Sequence, residues 1–352
     1  MEPIKLPGAI KIPIQTLTPI LTGDCRQETS YLRATSFLGG VRFWTEALLR
    51  SLGEYVCNIT GEQRCVHDPD NGVLACAACR IFGCTGLGRS FGLKVENKGV
   101  LTDVEIGRIE LPQYRYRDKK TGKDKIPTWY LSGDKAKGKF GNLTLSLYPI
   151  RYLNSRSIHP AICMAVYLVC HWGTLGAKNQ YGYGLVKWEG EQELLRATLG
   201  DGLTLCTNVT PTENQSLPNL SDFFFFSGAA QSSDRKLPFV IRYQVRAGLR
   251  TNDNNLQIDK EVRHYFCGDL KDHEASKFNV ALHNRQLYGW GYFPRGGPMA
   301  GNRDRCLNLL KRTLVANCKD VRWKEFSSQR DTCSSSQTWD GFLQELIEMP
   351  WR

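Results

Sequence analysis

The sequence lacks several patterns that would assign its 352 residues to a common class of protein. No apolar run approaches the roughly 18 residues needed to cross a bilayer, so we expect no membrane-spanning helix. The N-terminal stretch has no basic segment followed by an apolar core, and we therefore expect a cytoplasmic protein without a secretory signal. The Walker sequence GK[ST] and the zinc-protease sequence HExxH are also missing, which argues against P-loop nucleotidases and zincin-type proteases.

The charge balance is basic. Lysine and arginine number 46 against 35 aspartates and glutamates, for a net charge of +11. Such an excess indicates an anionic partner such as a nucleic acid, although a merely basic, solvated surface is the alternative. The length favours two domains over a single core.

The stretch from Gly173 to Gly184 is the most informative feature that is present. Within twelve residues it holds four glycines, one lysine, two amides and two tyrosines. Glycines let a partner approach the backbone closely, the tyrosines offer stacking faces, and Lys178 offers a charge for phosphate. The stretch follows a predicted helix and precedes a predicted strand, unlike the dinucleotide-binding motif, which opens a helix. We interpret it as a nucleic-acid-binding loop, with a flexible connection as the alternative.

Hydrophobic periodicity predicts an α+β fold. Ile10, Ile12 and Ile14 alternate as in a strand, and a helix is expected from Thr35 or Ser36 to about Gly53. Further strands are predicted near residues 100–111 and 143–148, a second helix from Ser157 to Trp172, and a last strand at residues 185–189. The order strand–helix–strands–helix–strand is that of a ferredoxin-like unit.

These elements predict the division of the chain. The first domain would span residues 1–205. Residues 206–235, rich in Ser, Thr, Asn and Pro, would connect the domains, with Phe223–Phe226 docked on one of them. A shorter second unit, residues 236–352, would begin with a strand at residues 239–247 and contain a helix near Arg303–Val315.

A cysteine cluster in the first domain has the spacing of a metal site. Cys76-x-x-Cys79 is the usual half of a zinc knuckle, and Cys57 and Cys65 complete a set of four thiols within an insertion at about residues 57–84. Four thiolates would form one closed structural zinc site. His67 and Cys84 are rival ligands, and a redox pair or unmetallated buried thiols are the alternative interpretations.

Two basic features allow a structural as well as an RNA-binding interpretation. Arg42, Glu46 and Arg50 lie at i, i+4 spacing on the first helix, which suits a surface ion-pair stripe as well as RNA contacts. Residues 114–139 carry nine lysines and arginines against three aspartates, with interleaved aromatics such as Trp129. A solvated hairpin tip is the simpler interpretation of that run.

Candidate catalytic groups are few. His159 and His171 lie at the two ends of the second predicted helix, where a histidine more often caps the helix or interacts with its dipole. Metal-free RNA cleavage by such a histidine together with Lys178 remains an open alternative.

Several of these stretches together resemble one family. Leu17-Thr-Pro-Ile-Leu-Thr-Gly-Asp24, Leu32-Arg-Ala-Thr-Ser36 and Gly40-Val-Arg-Phe-Trp44 are similar to the opening of the tandem-RAMP subunits (Cmr subunit one) of type III-B CRISPR-Cas effector complexes. The cysteine segment that ends at Cys84 and the loop Gly173–Gly184 also resemble that family. The resemblance covers about residues 10–190.

The resemblance implies two RNA-recognition-motif-like (ferredoxin-like) RAMP domains in tandem and a non-catalytic role. The expected partners are guide RNA near its 3′ end, target RNA and other Cmr-type subunits, with no membrane and no small-molecule substrate. Carried over by motif, the RNA contacts would be Arg33, Arg42 and the loop residues Gly173, Gly176, Lys178, Asn179, Gln180, Tyr181, Gly182 and Gly184. In the second unit, which has no comparable glycine-rich loop, Arg242, Arg246 and Arg250 are candidates because they carry charge at strand spacing.

Overall fold

The computed structural model contains two four-stranded antiparallel sheets. It describes residues 8–22, 31–59, 64–71, 73–105, 107–118, 121–129, 137–151, 153, 158–190, 217–250, 259–269, 274–333, 337–349 and 351. Within these ranges, no helix has the length and apolar character needed to span a membrane.

The first unit holds the first sheet and its helices. In chain order its elements are β1 (Ile10–Thr16), α1 (Ala34–Ser51), α2 (Ala77–Phe82), β2 (Phe91–Glu105), β3 (Ile109–Glu110), β4 (Tyr116–Arg117), β5 (Asp124–Lys125), β6 (Thr128–Trp129), β7 (Lys137–Pro149), α3 (Pro160–His171) and β8 (Val186–Trp188). The sheet order is β2-β7-β1-β8, and every neighbouring pair is antiparallel. This is the ferredoxin-like arrangement that the sequence predicts.

The periodicity that predicts these elements also explains their packing. Ile12 and Ile14 of β1 are buried opposite Leu145 and Leu143 of β7. Helix α1 begins at Ala34, slightly before the predicted caps Thr35 and Ser36, and Arg33 occupies the N-cap position without a side-chain cap hydrogen bond. The helix ends just before Gly53, whose φ of 82° suits glycine. The predicted second helix is confirmed as α3, while residues 154–157 lie outside the described part of the chain.

The second unit repeats the same topology. Its elements are β9 (Phe223–Ala230), α4 (Leu237–Gly248), α5 (Lys260–Cys267), β10 (Phe278–His283), β11 (Gln286–Tyr292), α6 (Arg303–Asn317), β12 (Cys318–Glu325) and α7 (Trp339–Glu348). The sheet order β10-β11-β9-β12 is the ferredoxin-like order again. The fold class and the helix near Arg303 are therefore confirmed.

The predicted strand at residues 239–247 is wrong, because these residues belong to helix α4. Phe239, Ile241 and Val245 alternate in the sequence as they would in a strand. The buried positions, however, include Pro238, Arg242, Val245 and Leu249, which recur at helical spacing. Pro238 in the first turn is also compatible with a helix start.

The prediction that residues 206–235 form only a connection is wrong for residues 223–230. These residues form β9, a central strand between β11 and β12. Phe224 and Phe226 pack into the core of the second unit, whereas Phe223 and Phe225 pack against the first unit. Apolar residues occur on both faces of β9 because both faces are buried. Residues 206–216 lie outside the described part of the chain.

The two units share a continuous apolar interface. The ring of Trp44 in α1 lies 4.9 Å from that of Phe223 and 5.0 Å from that of Trp290, measured between centroids. Trp172, at the end of α3, packs on Phe225 and on Trp351. The indole of Trp172 also donates a hydrogen bond to the carbonyl of Leu346 in α7. The C-terminal helix α7 therefore packs against the first unit.

Candidate nucleic-acid interface and metal centre

The glycine-rich loop is held by backbone hydrogen bonds against residues 19–21, which follow β1. The Ala177 amide donates to the Leu21 carbonyl, and the Gly184 amide donates to the Pro19 carbonyl. A side chain at Gly184 would place its Cβ 1.9 Å from the Leu175 carbonyl oxygen, and one at Gly176 would lie 2.5 Å from the Leu21 oxygen. Both glycines also have positive φ. The glycines thus permit a tightly folded loop rather than a flexible connection.

The middle of the loop presents a lysine beside a short 3-10 turn. Lys178 adopts the left-handed conformation with φ of 61°, and Asn179–Tyr181 form the turn that follows. The Lys178 side chain is half-buried, and the described residues give it no acidic partner. A half-buried ammonium without a carboxylate partner suits an anionic ligand.

Tyr181 and Gly182 face the second unit. The ring of Tyr181 stacks on Phe239 with centroids 5.9 Å apart and planes 9° apart, and the guanidinium of Arg242 lies 5.7 Å from the same ring. A Cβ at Gly182 would lie 2.9 Å from the Val280 carbonyl oxygen of β10. One face of the Tyr181 ring is therefore occupied by the protein itself, while its predicted contact with RNA stays a prediction.

The three arginines predicted in the second unit lie on α4 or in the turn that follows it. Arg242 and Arg246 are one helical turn apart on α4 and share a face through helical and not strand geometry, while Arg250 lies in the turn after the helix. Arg242 is buried and donates to the Phe278 carbonyl, and burial lowers the pKa of its guanidinium. Arg246 donates to the Gly268 carbonyl, whereas Arg250 is exposed.

These loop and helix residues meet in a cleft of about 1200 Å³ between the two units. The loop contributes Lys178, Gln180 and Tyr181. The chain segment between β2 and β7, which is separate from the cysteine-rich insertion, contributes a third wall. The charged lining residues are Arg108, Lys125, Lys178, Arg242, Arg246 and Arg250 against Glu110, Asp124, Asp269 and Glu274. Six cations against four carboxylates give the cleft a net positive charge, which favours a polyanion.

The sequence reasoning missed two of the cations in and beside this cleft. Arg108 lines the cleft from the insertion and pairs with Glu110 at 2.5 Å. Arg263 of α5 lies close enough to the α4 arginines that the charges of Arg250 and Arg246 add to burial in lowering its pKa. The basic run at residues 114–139 indicated a positively charged segment between β2 and β7. Only the fold shows that Arg263 of α5 lies near the arginines of the same cleft.

The aromatic residues of the insertion are divided between packing and exposure. Tyr114 packs on Tyr243 with centroids 4.3 Å apart, and Trp129 packs on Phe239. Tyr116, in the β4–β5 hairpin, is 48% exposed in the cleft wall. The predicted hairpin tip is thus present, and Tyr114 and Trp129 pack the segment between β2 and β7 against α4.

Arg33 and Arg42, predicted as RNA contacts, lie in different surroundings. Arg33 adjoins the loop, because its amide donates to the Thr22 hydroxyl and Leu21 pairs with Ala177. Arg42 instead lies on the far side of α1, where its guanidinium donates to the Sγ of Cys79 at 3.6 Å and to Glu46 at 2.8 Å. The ion-pair stripe is therefore present, and RNA contact by Arg42 stays a prediction.

The four predicted cysteines converge. The sulfur atoms of Cys57, Cys65, Cys76 and Cys79 all lie within 4.8 Å of one another, and the Cys57–Cys79 distance is 3.6 Å. A tetrahedral zinc–thiolate site has sulfurs about 3.8 Å apart. Backbone amides also donate to the sulfurs of Cys65 and Cys76, as outer hydrogen bonds do around metal ligands. Among the described residues, this cluster can hold a metal ion.

The electrostatics of the cluster fit a bound cation. Hydrogen bonds with Cys76 and Cys79 lower the pKa of Cys57 to about 2, whereas hydrogen bonds with Cys57 and Cys76 raise the pKa of Cys79. Burial raises the pKa of Cys65 to about 12. Metal binding requires thiolates, so a divalent cation would displace the protons that these sulfurs carry. His67 and Cys84 do not join the group of four.

The two candidate histidines are buried and have structural partners. The Nδ1 of His159 accepts a hydrogen bond from the Ala161 amide and so caps α3. His171 stacks on Tyr167, and its Nε2 lies 3.2 Å from the Met349 carbonyl oxygen. Their exposed fractions are 3% and 8%, which leaves little access for a substrate.

Comparisons with known proteins identify a family for the first unit. Residues 13–187 match the sequence model of the RAMP superfamily. No curated protein matches the chain. Among solved structures, the chain is similar to Cmr1 from Pyrococcus furiosus in its apo form, with 12% identity, coverage of 90% of this chain and 98% of that one, and a TM-score of 0.44.

Two further similarities are to chains of type III-B Cmr-beta complexes. One complex is bound to cognate target RNA and AMPPnP in the presence of ssDNA; that chain is 10% identical, with coverage of 88% and 98% and a TM-score of 0.45. The other complex is bound to cognate target RNA; that chain is 18% identical, with coverage of 52% and 58% and a TM-score of 0.31.

Proposed function

Since residues 13–187 belong to the RAMP superfamily, as the sequence resemblance predicted, we propose that this chain is a non-catalytic RNA-binding subunit of a type III-B CRISPR ribonucleoprotein. It would hold guide and target RNA near the 3′ end of the guide, beside other Cmr-type subunits in the cytoplasm. The assignment to this subunit class rests on the quoted opening motifs, the cysteine segment and the glycine-rich loop.

The observation that carries the RNA-binding proposal is the joint construction of the cleft. The loop of the first unit, the first helix of the second unit and the turn after that helix bring Lys178, Arg246 and Arg250 to the lining of one cavity. A strand of RNA carries one phosphate per nucleotide, so a row of separated cations suits it better than it suits a compact anion. The exposed ring of Tyr116 in the same wall is available for base stacking.

Lys178 and Arg250 are the best candidates for phosphate contacts. Within the described ranges neither side chain has an ion-pair partner, whereas Arg108, Lys125 and Arg246 pair with carboxylates. Arg242 is buried behind Tyr181 and serves to support the loop. Sequence information would come from pairing between guide and target, so these cations need only bind the backbone.

For the metal centre we propose one structural zinc ion per chain. Four thiolates in a closed tetrahedral set are typical of structural zinc and leave no open position for a substrate. The cluster joins Cys57, which follows α1, and Cys65 to the start of α2 at Cys76 and Cys79, so the ion would fix three parts of the cysteine-rich insertion at once.

The alternative of a metal-independent endoribonuclease has no supporting observation at His159 or His171. It is tested by incubating the full chain with CRISPR-repeat RNA and a chelator. We expect intact RNA, and products that end in a 2′,3′-cyclic phosphate would replace the proposal with the ribonuclease.

The proposed cleft is tested by removing its two unpaired cations in the full chain. We expect Lys178→Ala with Arg250→Ala to weaken binding of single-stranded RNA by about 1–3 kcal/mol, since two charged contacts are lost. The dependence of log K on log salt concentration should become shallower by about 1.4, at roughly 0.7 per phosphate contact. Fluorescence anisotropy at several salt concentrations measures both quantities.

The matched control removes two exposed cations outside the cleft, with Arg312→Ala and Lys319→Ala. This pair changes the net charge equally and should leave the salt slope nearly unaltered. Equal slopes for the two double variants would assign binding to the overall charge and contradict a phosphate-binding cleft.

A further inference from the structure

We propose that the metal centre of the first unit holds the start of the second unit in place, through a relay of Arg42, Glu46 and Arg50. The inference rests on the proposed metal ion, and it adds a task for that ion beyond stabilising its own loops. The relay residues lie at consecutive turns of α1, between the cysteine cluster and residues 217–222.

The relay begins at the cysteine cluster. The Nη2 of Arg42 donates to the Sγ of Cys79, a predicted ligand, at 3.6 Å. The Nε of the same guanidinium lies 2.8 Å from one carboxylate oxygen of Glu46. The Glu46 side chain is only 10% exposed, so this carboxylate depends on its protein partners.

Glu46 also contacts Arg50, one helical turn further along α1. Its second carboxylate oxygen lies 3.4 Å from the Nη2 of Arg50, whose side chain is 11% exposed. The Nη1 of Arg50 then donates to the Pro218 carbonyl at 2.8 Å. A single guanidinium therefore links the carboxylate of the relay to the backbone of the second unit.

Neighbouring hydrogen bonds show that residues 217–222 are docked at this point. The Leu220 amide donates to the Ser51 hydroxyl at 2.7 Å, and that hydroxyl contacts the side chain of Asn219. Asn219 and Asp222 cap the short 3-10 turn that leads directly into β9. Displacement of this turn would therefore also displace the start of β9, a central strand of the second sheet.

The charge of the loaded centre gives the relay its dependence on metal. Four thiolates and one divalent cation carry a net charge of −2, next to the guanidinium groups of Arg42 and Arg50. The metal would tie Cys79, the acceptor for Arg42, to three other sulfurs and so fix its position. Without the metal that acceptor is no longer held, and Glu46 is left to hold the two guanidinium groups in a largely buried site. The loaded centre therefore orders both arginines, and its loss frees Arg50 to leave the Pro218 carbonyl.

Hydrogen exchange in the full chain tests the relay. We expect removal of the metal by a chelator to speed exchange of the Leu220 and Ser221 amides by roughly 10-fold, as loss of a charged hydrogen bond implies. Arg50→Met should show the faster exchange while it still binds metal, and chelation should then add little at these amides. If Arg50→Met does not fold, Arg50→Lys keeps the charge with fewer donors and should show the same direction of change.

The matched control is Arg295→Met. Arg295 also donates to a carbonyl of this segment, that of Ser221, but from the second unit and with no described contact to the cysteine cluster. Its loss should speed exchange at residues 219–222, and chelation should still add its full further effect. Metal loss that leaves Leu220 exchange unchanged in the unaltered chain would overturn the relay. A natively purified chain without metal would instead overturn the proposed metal ion.

Discussion

The two ferredoxin-like units share one strand order but differ at the connection between the second helix and the last strand. In the first unit, residues 172–185 separate α3 from β8 and fold into the glycine-rich loop. In the second unit, α6 ends at Asn317 and β12 begins at Cys318, so no loop exists there. The second unit contributes the face of α4 to the cleft instead. In the described part of the chain, a repeated topology has thus produced one composite cleft, to which the two units contribute different elements.

The units also differ in what stabilises them beyond their apolar cores. The first unit contains the cysteine cluster, whereas the second contains a buried network of ion pairs. Lys324 is fully buried and lies 3.0 Å from Asp331 and 2.5 Å from Glu345 of α7. Its neighbour Glu325 is bound by Arg303 at 2.8 Å and by Arg330 at 2.9 Å.

This contrast has a physical consequence. A metal–thiolate centre depends on a ligand that can be removed, while a buried ion-pair network depends on the charge of its carboxylates. The first unit should therefore respond to chelators and the second to acid. Each response can be measured separately, and each can contradict the comparison.

The largest expected effect concerns the metal centre. Cys76→Ser should lower the stability of the first unit by roughly 4 kcal/mol or more, the range reached when a structural metal is lost. The cysteine–serine change nearly keeps the side-chain size but removes one sulfur from a largely buried set of four. Elemental analysis should show about one zinc per chain for the natural sequence and none for the variant, and thermal unfolding should show the lower stability of the variant.

Cys333→Ser is the matched control, because this thiol lies in the second unit, outside the cluster. It should retain the metal and shift the unfolding temperature little. Similar losses in both variants would mean that the cluster has no special role in the first unit.

The second effect concerns acid. Burial alone would raise the pKa of Glu325, but its hydrogen bond with Arg330 and the charge of Arg303 outweigh burial and lower the pKa to about 2. The ordinary carboxyl value is 4.5. The stabilisation is therefore complete above pH 4.5 and is lost as the pH falls from there toward 2. Its size is on the order of 3 kcal/mol, at about 1.4 kcal/mol per pKa unit.

Glu325→Gln should remove this share of the acid sensitivity, and the difference in unfolding free energy between natural chain and variant should shrink as the pH falls below 4.5. Glu348→Gln, at an exposed carboxylate of α7, serves as the control and should leave the pH profile unchanged. Parallel profiles for the natural chain and Glu325→Gln would contradict the contribution assigned to the ion pairs.

Local sequence patterns predicted the elements in which one face is buried. The alternation of Ile10–Ile14 and the helical period of α1 each report a single inward face, so both elements were placed correctly. The Cys76-x-x-Cys79 spacing likewise identified half of the cysteine cluster, because Cys76 caps α2 and Cys79 lies in its first turn.

The failures occurred where the burial depends on a distant partner. Phe223–Phe226 have no period, since alternate rings face the cores of different units. The apolar residues of α4 fit a strand as well as a helix until the burial of Arg242 is known. The contact of Arg42 with Cys79, 37 residues later, follows only from the packing of α2 on α1.

The smallest expected effect separates packing from RNA stacking at the point where the two units meet. The Tyr181 ring packs on Phe239 across the interface, so Tyr181→Ala should weaken RNA binding by about 1 kcal/mol through loss of the aromatic contact that fixes the loop. Tyr181→Phe keeps the ring and should bind RNA as the natural chain does.

Tyr116→Ala removes an exposed aromatic residue of the same cleft, and it should weaken binding without altering thermal stability. Anisotropy titrations and thermal unfolding of the three variants distinguish these roles. If Tyr181→Ala lowers RNA affinity with no change in stability, the ring stacks on RNA and the two units do not depend on it for their contact.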